Sequence, residues 1–341
     1  MNTAGINPKL ISLLTGIPLD EVRQPVTVEA LPGKWAAYAS EAHKRIVYLV
    51  PGHTETVTCR ICHRPAQYDI GMVLVSRRYS VRVKKTRSDL ILKDSFQCMG
   101  YFRCRYCNGA DSWEFPDSFY TRLIHEMLAV RSGRGRPSWV SITTADLFDG
   151  YMYSFATDAE EHFFGLMASQ GETAYLWNRL GNLYFKSRRA DLAMAALEKS
   201  LSLDANLMES DFTLGMILIQ SGAEEAGARY LRQALAKAAR YERLNANDLR
   251  DLLAHALIEL ARVHVKSGKA IAMLPSPEEW AEARNSTTDA GGDSDSHWVV
   301  AISGRSDDPT TFYPLAEKYL SPAQLRSLSN PSRQKKQHKR R

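Results

Sequence analysis

Two Cys-x-x-Cys pairs, Cys59-Arg60-Ile61-Cys62 and Cys104-Arg105-Tyr106-Cys107, constrain what this chain can fold into more than any other feature. A gap of two residues lets the backbone turn tightly enough to aim both sulfurs at one point. Two such turns supply the four thiolates of a tetrahedral zinc site. Four thiolates leave no open coordination position, so the expected zinc is structural and not catalytic. Cys59, Cys62, Cys104 and Cys107 are the expected ligands, and His53 and His63 are the neighbours that could replace one of them. A dithiol redox centre would need only one pair, usually at a helix N-terminus, and these pairs lie among expected strands. The fifth cysteine, Cys98, is expected as a small apolar strand residue.

Paired cysteines fit a reducing compartment better than a disulfide framework. No apolar run approaches the ~18 residues that cross a bilayer, and Leu10 to Leu14 lacks the flanks of a signal peptide. The expectation is a cytoplasmic protein with no membrane partner. With 341 residues, 44% of them apolar and 24% charged, the chain has material for two or three folded domains.

Around the cysteines, Tyr68 to Val75, Tyr79 to Val83 and Ser95 to Arg103 are rich in β-branched and aromatic residues and read as strands of a small antiparallel sheet. On its cysteine pairs the segment resembles a zinc ribbon, although 41 residues separate Cys62 from Cys104. The segment is also basic. Residues 34 to 110 hold 14 Lys or Arg against 5 Asp or Glu, whereas residues 111 to 171 hold 4 against 9. Two readings of the excess compete. Arg60, Arg64, Arg103 and Arg105 could neutralise the formal −2 charge of a four-thiolate zinc ion. Alternatively, Arg77, Arg78, Arg82, Lys84, Lys85 and Arg87 form a basic strip suited to phosphate. On a strand, Arg78, Arg82 and Lys84 share one face, opposite Tyr79, Val81 and Val83.

Downstream, Phe119, Leu123, Met127 and Val130 recur at helical spacing from Asp117. A second helix is expected near Thr157, with Thr157 and Glu160 as its capping box. Then Trp177-x2-Leu180-Gly181-x2-Tyr184 and Ala193-x3-Leu197 resemble a tetratricopeptide repeat. Thirty-four residues on, Asp211, Leu214, Gly215, Leu218, Gly227 and Leu231 keep the register with Asp in place of Trp. Ala205 stands where that pattern has a helix-terminating Pro. A third, degenerate unit runs through Leu257, Leu260, Ala261 and His264, and Ser276-Pro277-Glu278-Glu279 has the features of a capped helix start. The resemblance implies helix pairs stacked into a protein-binding array. Asn178, Arg179 and Asn182 on the first helix are candidates for partner contact, with plain exposed polar positions as the competing reading.

Catalytic signatures fail on inspection. His125-Glu126 lacks the second His of a zinc-protease motif because Ala129 occupies its place. Gly133-x-Gly135 meets Ser138 where a dinucleotide fingerprint needs Gly. The expected class is therefore α+β multidomain: a small zinc-stapled antiparallel β module followed by a mainly α, tetratricopeptide-like array. The expected division is 1–33 helix and connector, 34–116 zinc module, 117–171 helical connector, 172–284 repeats with a capping helix, 285–296 linker, 297–332 small C-terminal segment and 333–341 basic tail. The function expected is a non-enzymatic adaptor that binds a protein partner through the repeats and nucleic acid through the zinc module and tail. A protein-only scaffold and an enzyme without a linear motif are the alternatives.

Overall fold

The computed structural model describes residues 5–24, 26–42, 44–48, 50–77, 96–110, 112–133, 138–285 and 308–328. Its strands are β1 (Thr54–Cys59), β2 (Pro65–Asp69), β3 (Val73–Val75), β4 (Phe96–Cys98), β5 (Trp113–Glu114) and β6 (Val140–Ser141). Alternation along β1 buries Glu55, Val57 and Cys59 on one face and leaves the threonines on the other. β1 is the centre of one antiparallel sheet, ordered β2-β1-β5, with Thr58 opposite Pro65 and Cys59 opposite Trp113. β3 is the centre of a second, ordered β4-β3-β6, in which β4 is antiparallel and β6 parallel.

The single strand expected from Tyr68 to Val75 is thus divided between two sheets. Gly71, at φ +65°, makes the division: a Cβ there would lie 2.5 Å from the Gly100 nitrogen, and Gly100 N–H donates to Ile70 O at 2.8 Å. Only glycine permits that approach of two backbones. The expected strand from Tyr79 to Val83 lies outside the described residues.

Helix α1 spans Pro8–Thr15, α2 Ala36–Ala42, and α3 Asp117–Arg131. The segment expected as a helical connector supplies Phe119, Leu123 and Met127 of α3 to the same apolar core as Val57, Tyr68 and Trp113. Val130, the fourth residue of that periodic set, is exposed. Helix α4 spans Ala156–Gln170. Its start is not closed by Thr157 and Glu160. Asp158 accepts from the backbone N–H groups of Ser154 (3.1 Å) and Phe155 (2.9 Å), which frees Glu160 for the interior.

The repeats form helical hairpins: α5 (Ala174–Lys186) with α6 (Ala190–Leu203), then α7 (Met208–Ser221) with α8 (Glu224–Lys237). A Cβ on Gly181 would meet Leu197 at 2.8 Å, and one on Gly215 would meet the Gly227 carbonyl at 2.9 Å. These are the close approaches expected of the repeat register. In place of the missing Pro, Asp204 ends α6 with a side-chain turn, accepting from Asn206 N–H at 2.9 Å. Helix α9 (Ala246–Lys266) is the third, unpaired-looking unit of the sequence. Helix α10 (Pro277–Asn285) follows with the expected box: Ser276 Oγ accepts from Glu279 N–H at 3.2 Å, and Ser276 N–H donates to Glu279 Oε2 at 3.0 Å. Two short helices, α11 (Tyr313–Ala316) and α12 (Pro322–Leu328), complete the described chain. The expected strand 297–302 and tail 333–341 lie outside the described residues.

The architecture is α+β, with small sheets and a helical repeat array. The chain divides within α6 into two compact units, 1–199 and 200–341. The first contains the cysteine module, α3, α4 and the α5/α6 hairpin up to Lys199. Within it, Arg188 Nε donates to Asp69 Oδ2 at 2.8 Å and Tyr101 N–H to Ser187 O at 3.1 Å, so the hairpin turn is anchored on β2 and on the chain leading to Cys104.

Candidate metal centre

The two cysteine pairs adopt the same local fold. In the first, His63 sits at φ +58° and its N–H donates to Cys59 O at 2.8 Å. In the second, Asn108 sits at φ +57° and its N–H donates to Cys104 O at 2.8 Å. The backbone N–H of each leading cysteine closes the turn five residues on, Cys59 to Arg64 O and Cys104 to Gly109 O. The first knuckle joins β1 to β2, and the second lies in the loop between β4 and β5. The pairing of Cys59 with Trp113 brings the two together.

The four Sγ atoms lie within 4.8 Å of one another. Cys59 and Cys107 are 3.7 Å apart, and Cys62 and Cys104 are 3.6 Å apart. A tetrahedron with Zn–S bonds of ~2.3 Å has edges of ~3.8 Å, so the spacing fits a metal ion and is far too long for a disulfide, whose sulfurs lie ~2.05 Å apart. Burial raises the Cys104 thiol, but the Cys107 and Tyr106 amides and the Cys62 sulfur outweigh it and bring the thiol down to about 7. Burial pushes the Cys59 thiol up. Metal binding requires all four as thiolates and therefore releases protons.

Neither histidine joins the sulfurs. His53 stacks on Trp139 at 4.1 Å, with Nε2 3.5 Å from Glu55 Oε2, and burial lowers its pKa. His63 is exposed and serves as the left-handed hinge of its knuckle. Cys98 is fully buried in β4, and burial holds its thiol far above the usual range.

The other sequence-derived residues are placed as follows. Asn178 is 0% exposed and its Oδ1 accepts from Arg179 Nε (3.0 Å) and Asn182 Nδ2 (3.1 Å), so it orients the two half-buried side chains beside it. Arg179 also lies over the Tyr175 ring at 4.8 Å. Arg77 is exposed at the end of a described segment, while Arg78, Arg82, Lys84, Lys85 and Arg87 lie outside the described residues. Of the arginines around the knuckles, Arg103 turns inward: its Nε donates to Asn108 O at 3.0 Å and its guanidinium reaches Glu160 at 3.4 Å.

Glu160 is the residue that reading the sequence as a capping box misplaces. It is 0% exposed and accepts from four donors: Tyr184 and Tyr101 hydroxyls (2.7 and 3.0 Å), Asn7 Nδ2 (2.7 Å) and Arg103 Nη1. Burial raises its pKa, against the opposing pull of Arg103 and the hydrogen bonds. One signal was available: Glu160 precedes Phe163 and Phe164 by three and four residues and so shares the apolar face of α4.

Comparison with known proteins agrees with the repeat register. Residues 174–207 match the tetratricopeptide repeat family model. The match covers α5, α6 and the turn into α7, and stacked repeats of this kind generally bind protein partners. A search of curated proteins gave no match to the chain. Among the described residues no helix is long and apolar enough to cross a membrane.

Proposed function

We propose that this chain is a non-catalytic adaptor whose tetratricopeptide-like repeats engage a protein partner, while a zinc-stapled basic module, with the basic strip and tail, engages nucleic acid. The observation that supports it is the pair of matching knuckles whose four sulfurs fill a tetrahedral site completely, in the same compact unit as a repeat hairpin. Such a donor set suits zinc as a staple and leaves no position for a reacting ligand. Cys59, Cys62, Cys104 and Cys107 would hold the ion, and its contribution would be to fix the knuckles and the strands they join. On the repeat side, Asn178 sets the Arg179 and Asn182 side chains for a polar contact with an extended peptide.

Metal analysis of the purified chain should give about one zinc per molecule. A folded, metal-free protein would refute the staple. For the partner, proteins captured by the intact chain are compared with those captured by Arg179→Ala/Asn182→Ala. A protein held by the former and lost by the latter supports the contact, and an unchanged set removes it. Binding of RNA and DNA should fall steeply with salt.

A further inference from the structure

The knuckle tips form a surface that neither the metal nor the core explains. Ile61 and Tyr106, the third residues of their respective Cys-x-x-Cys pairs, are 57% and 50% exposed. They belong to adjoining tips. A Cβ on Gly109 would meet Ile61 Cδ1 at 2.5 Å, so Gly109 allows Ile61 to lie across the second knuckle. The Arg64 guanidinium lies 5.2 Å from the centre of the Tyr106 ring, bridging from the first knuckle to the second. Arg60 and Arg105 flank the pair, and both are exposed.

These cations are not engaged with acids. Among the described residues, Arg60, Arg64 and Arg105 form no ion pair; Arg105 rests over the Tyr68 ring at 5.4 Å and donates from Nη2 to Gln67 O at 2.6 Å. The guanidiniums of Arg64 and Arg105 are thus held on aromatic rings at the surface. A four-thiolate zinc ion carries −2, so three exposed guanidiniums more than offset it. What remains is a positive rim around a projecting phenol ring and an isoleucine. An arginine on one face of a tyrosine, with phosphate-binding cations on either side, is the combination that takes an unstacked base together with its backbone. A duplex buries its base faces and could use only the charges.

We infer that the joined knuckle tips, Ile61 and Tyr106 with Arg60, Arg64 and Arg105, bind single-stranded nucleic acid, a base stacking on Tyr106 and the flanking phosphates lying on the arginines. The inference rests on the nucleic-acid reading of the zinc module given above, and it assigns the contact to the tips in place of the strip at 77–87.

The test uses the zinc-loaded full chain and fluorescence anisotropy with a labelled unstructured oligonucleotide, as RNA and as DNA, and a duplex of matched length. Single strands should bind more tightly than duplex at low salt. Tyr106→Ala should weaken single-strand binding by roughly ten-fold or more, with Tyr106→Phe close to the parent. Arg60→Gln/Arg64→Gln/Arg105→Gln should flatten the log–log salt dependence by about two. Zinc content, measured on each variant, confirms that the knuckles remain closed. Binding lost on Arg82→Gln/Lys84→Gln/Lys85→Gln but kept in the tip variants overturns the inference and leaves the nucleic-acid reading standing. Equal binding of duplex with no effect of Tyr106→Ala overturns it too, as does displacement of the oligonucleotide by polyglutamate at equal charge concentration. No binding of any nucleic acid at low salt overturns both the inference and the reading beneath it.

Discussion

Asp211 shows how one side chain can be replaced by its chemical opposite without loss of the repeat. It stands 34 residues after Trp177, the largest fully buried side chain of the first hairpin, and is itself 1% exposed. The volume of the indole is taken over by a pair: Lys237 Nζ donates to Asp211 Oδ2 at 2.5 Å and to Ala205 O at 2.6 Å. Burial raises the Asp211 carboxyl to about 6, although Lys237 pulls it down. The unfolded carboxyl titrates near ~3.9, so folding takes up a proton between the two values. The contribution therefore favours the fold at acid pH and is lost as pH rises through about 6. Urea unfolding across pH should show a loss on the order of 2 kcal/mol through this window, absent in Asp211→Asn. At the cysteines the expectation is sharper. Cys59→Ser or Cys104→Ser should abolish stoichiometric zinc and unfold the strand module, read by metal content and near-ultraviolet dichroism. A Ser variant that keeps its zinc would show that three sulfurs suffice.

Among the elements, the two repeat hairpins differ in how their helices meet. In α5/α6 the partner of Gly181 is the Leu197 side chain, which can rotate away. In α7/α8 glycine faces glycine, and a Cβ on Gly227 would lie 2.7 Å from the Gly215 carbonyl and 2.8 Å from the Ile219 nitrogen. Backbone cannot yield as a leucine can. Gly227→Ala should thus cost about 2–3 kcal/mol and Gly181→Ala clearly less, measured as shifts in denaturant midpoint. The caps follow the same logic of local need. Ser276→Ala leaves the Glu279 N–H of α10 without its acceptor and should cost about 1 kcal/mol. The second partner of Glu279, Arg232 at 2.8 Å, holds its carboxylate in place in the parent chain.

Over the whole of the first unit, Glu160 connects parts that lie far apart in sequence. It joins the N-terminal segment through Asn7, the second knuckle through Arg103 and the repeat hairpin through Tyr184. Glu160→Gln would place an amide N–H₂ against Asn7 and Arg103, which are themselves donors, and should cost about 2–4 kcal/mol. The same connection makes the metal felt at a distance. Chelation should raise hydrogen exchange first in β1 and β5 and, through Arg103 and Glu160, in α4 and α5. Helix α9 should keep its protection. Exchange confined to the strands would show that the knuckle and the hairpin are independent.

Spacing alone determined the four ligands, the 34-residue register and the box at Ser276, because each depends on residues within one turn or one helical repeat of each other. The α+β class and the core face of α3 were legible for the same reason, since periodicity reports which side of an element is buried. Reading along the chain could not show that Tyr68 to Val75 is split between two sheets, because the cause is Gly100, 29 residues away from Gly71. Nor could it show that Glu160 faces four donors, or that Ile61 and Tyr106 share one surface. Those depend on which distant segments meet, and only packing of the folded chain decides that.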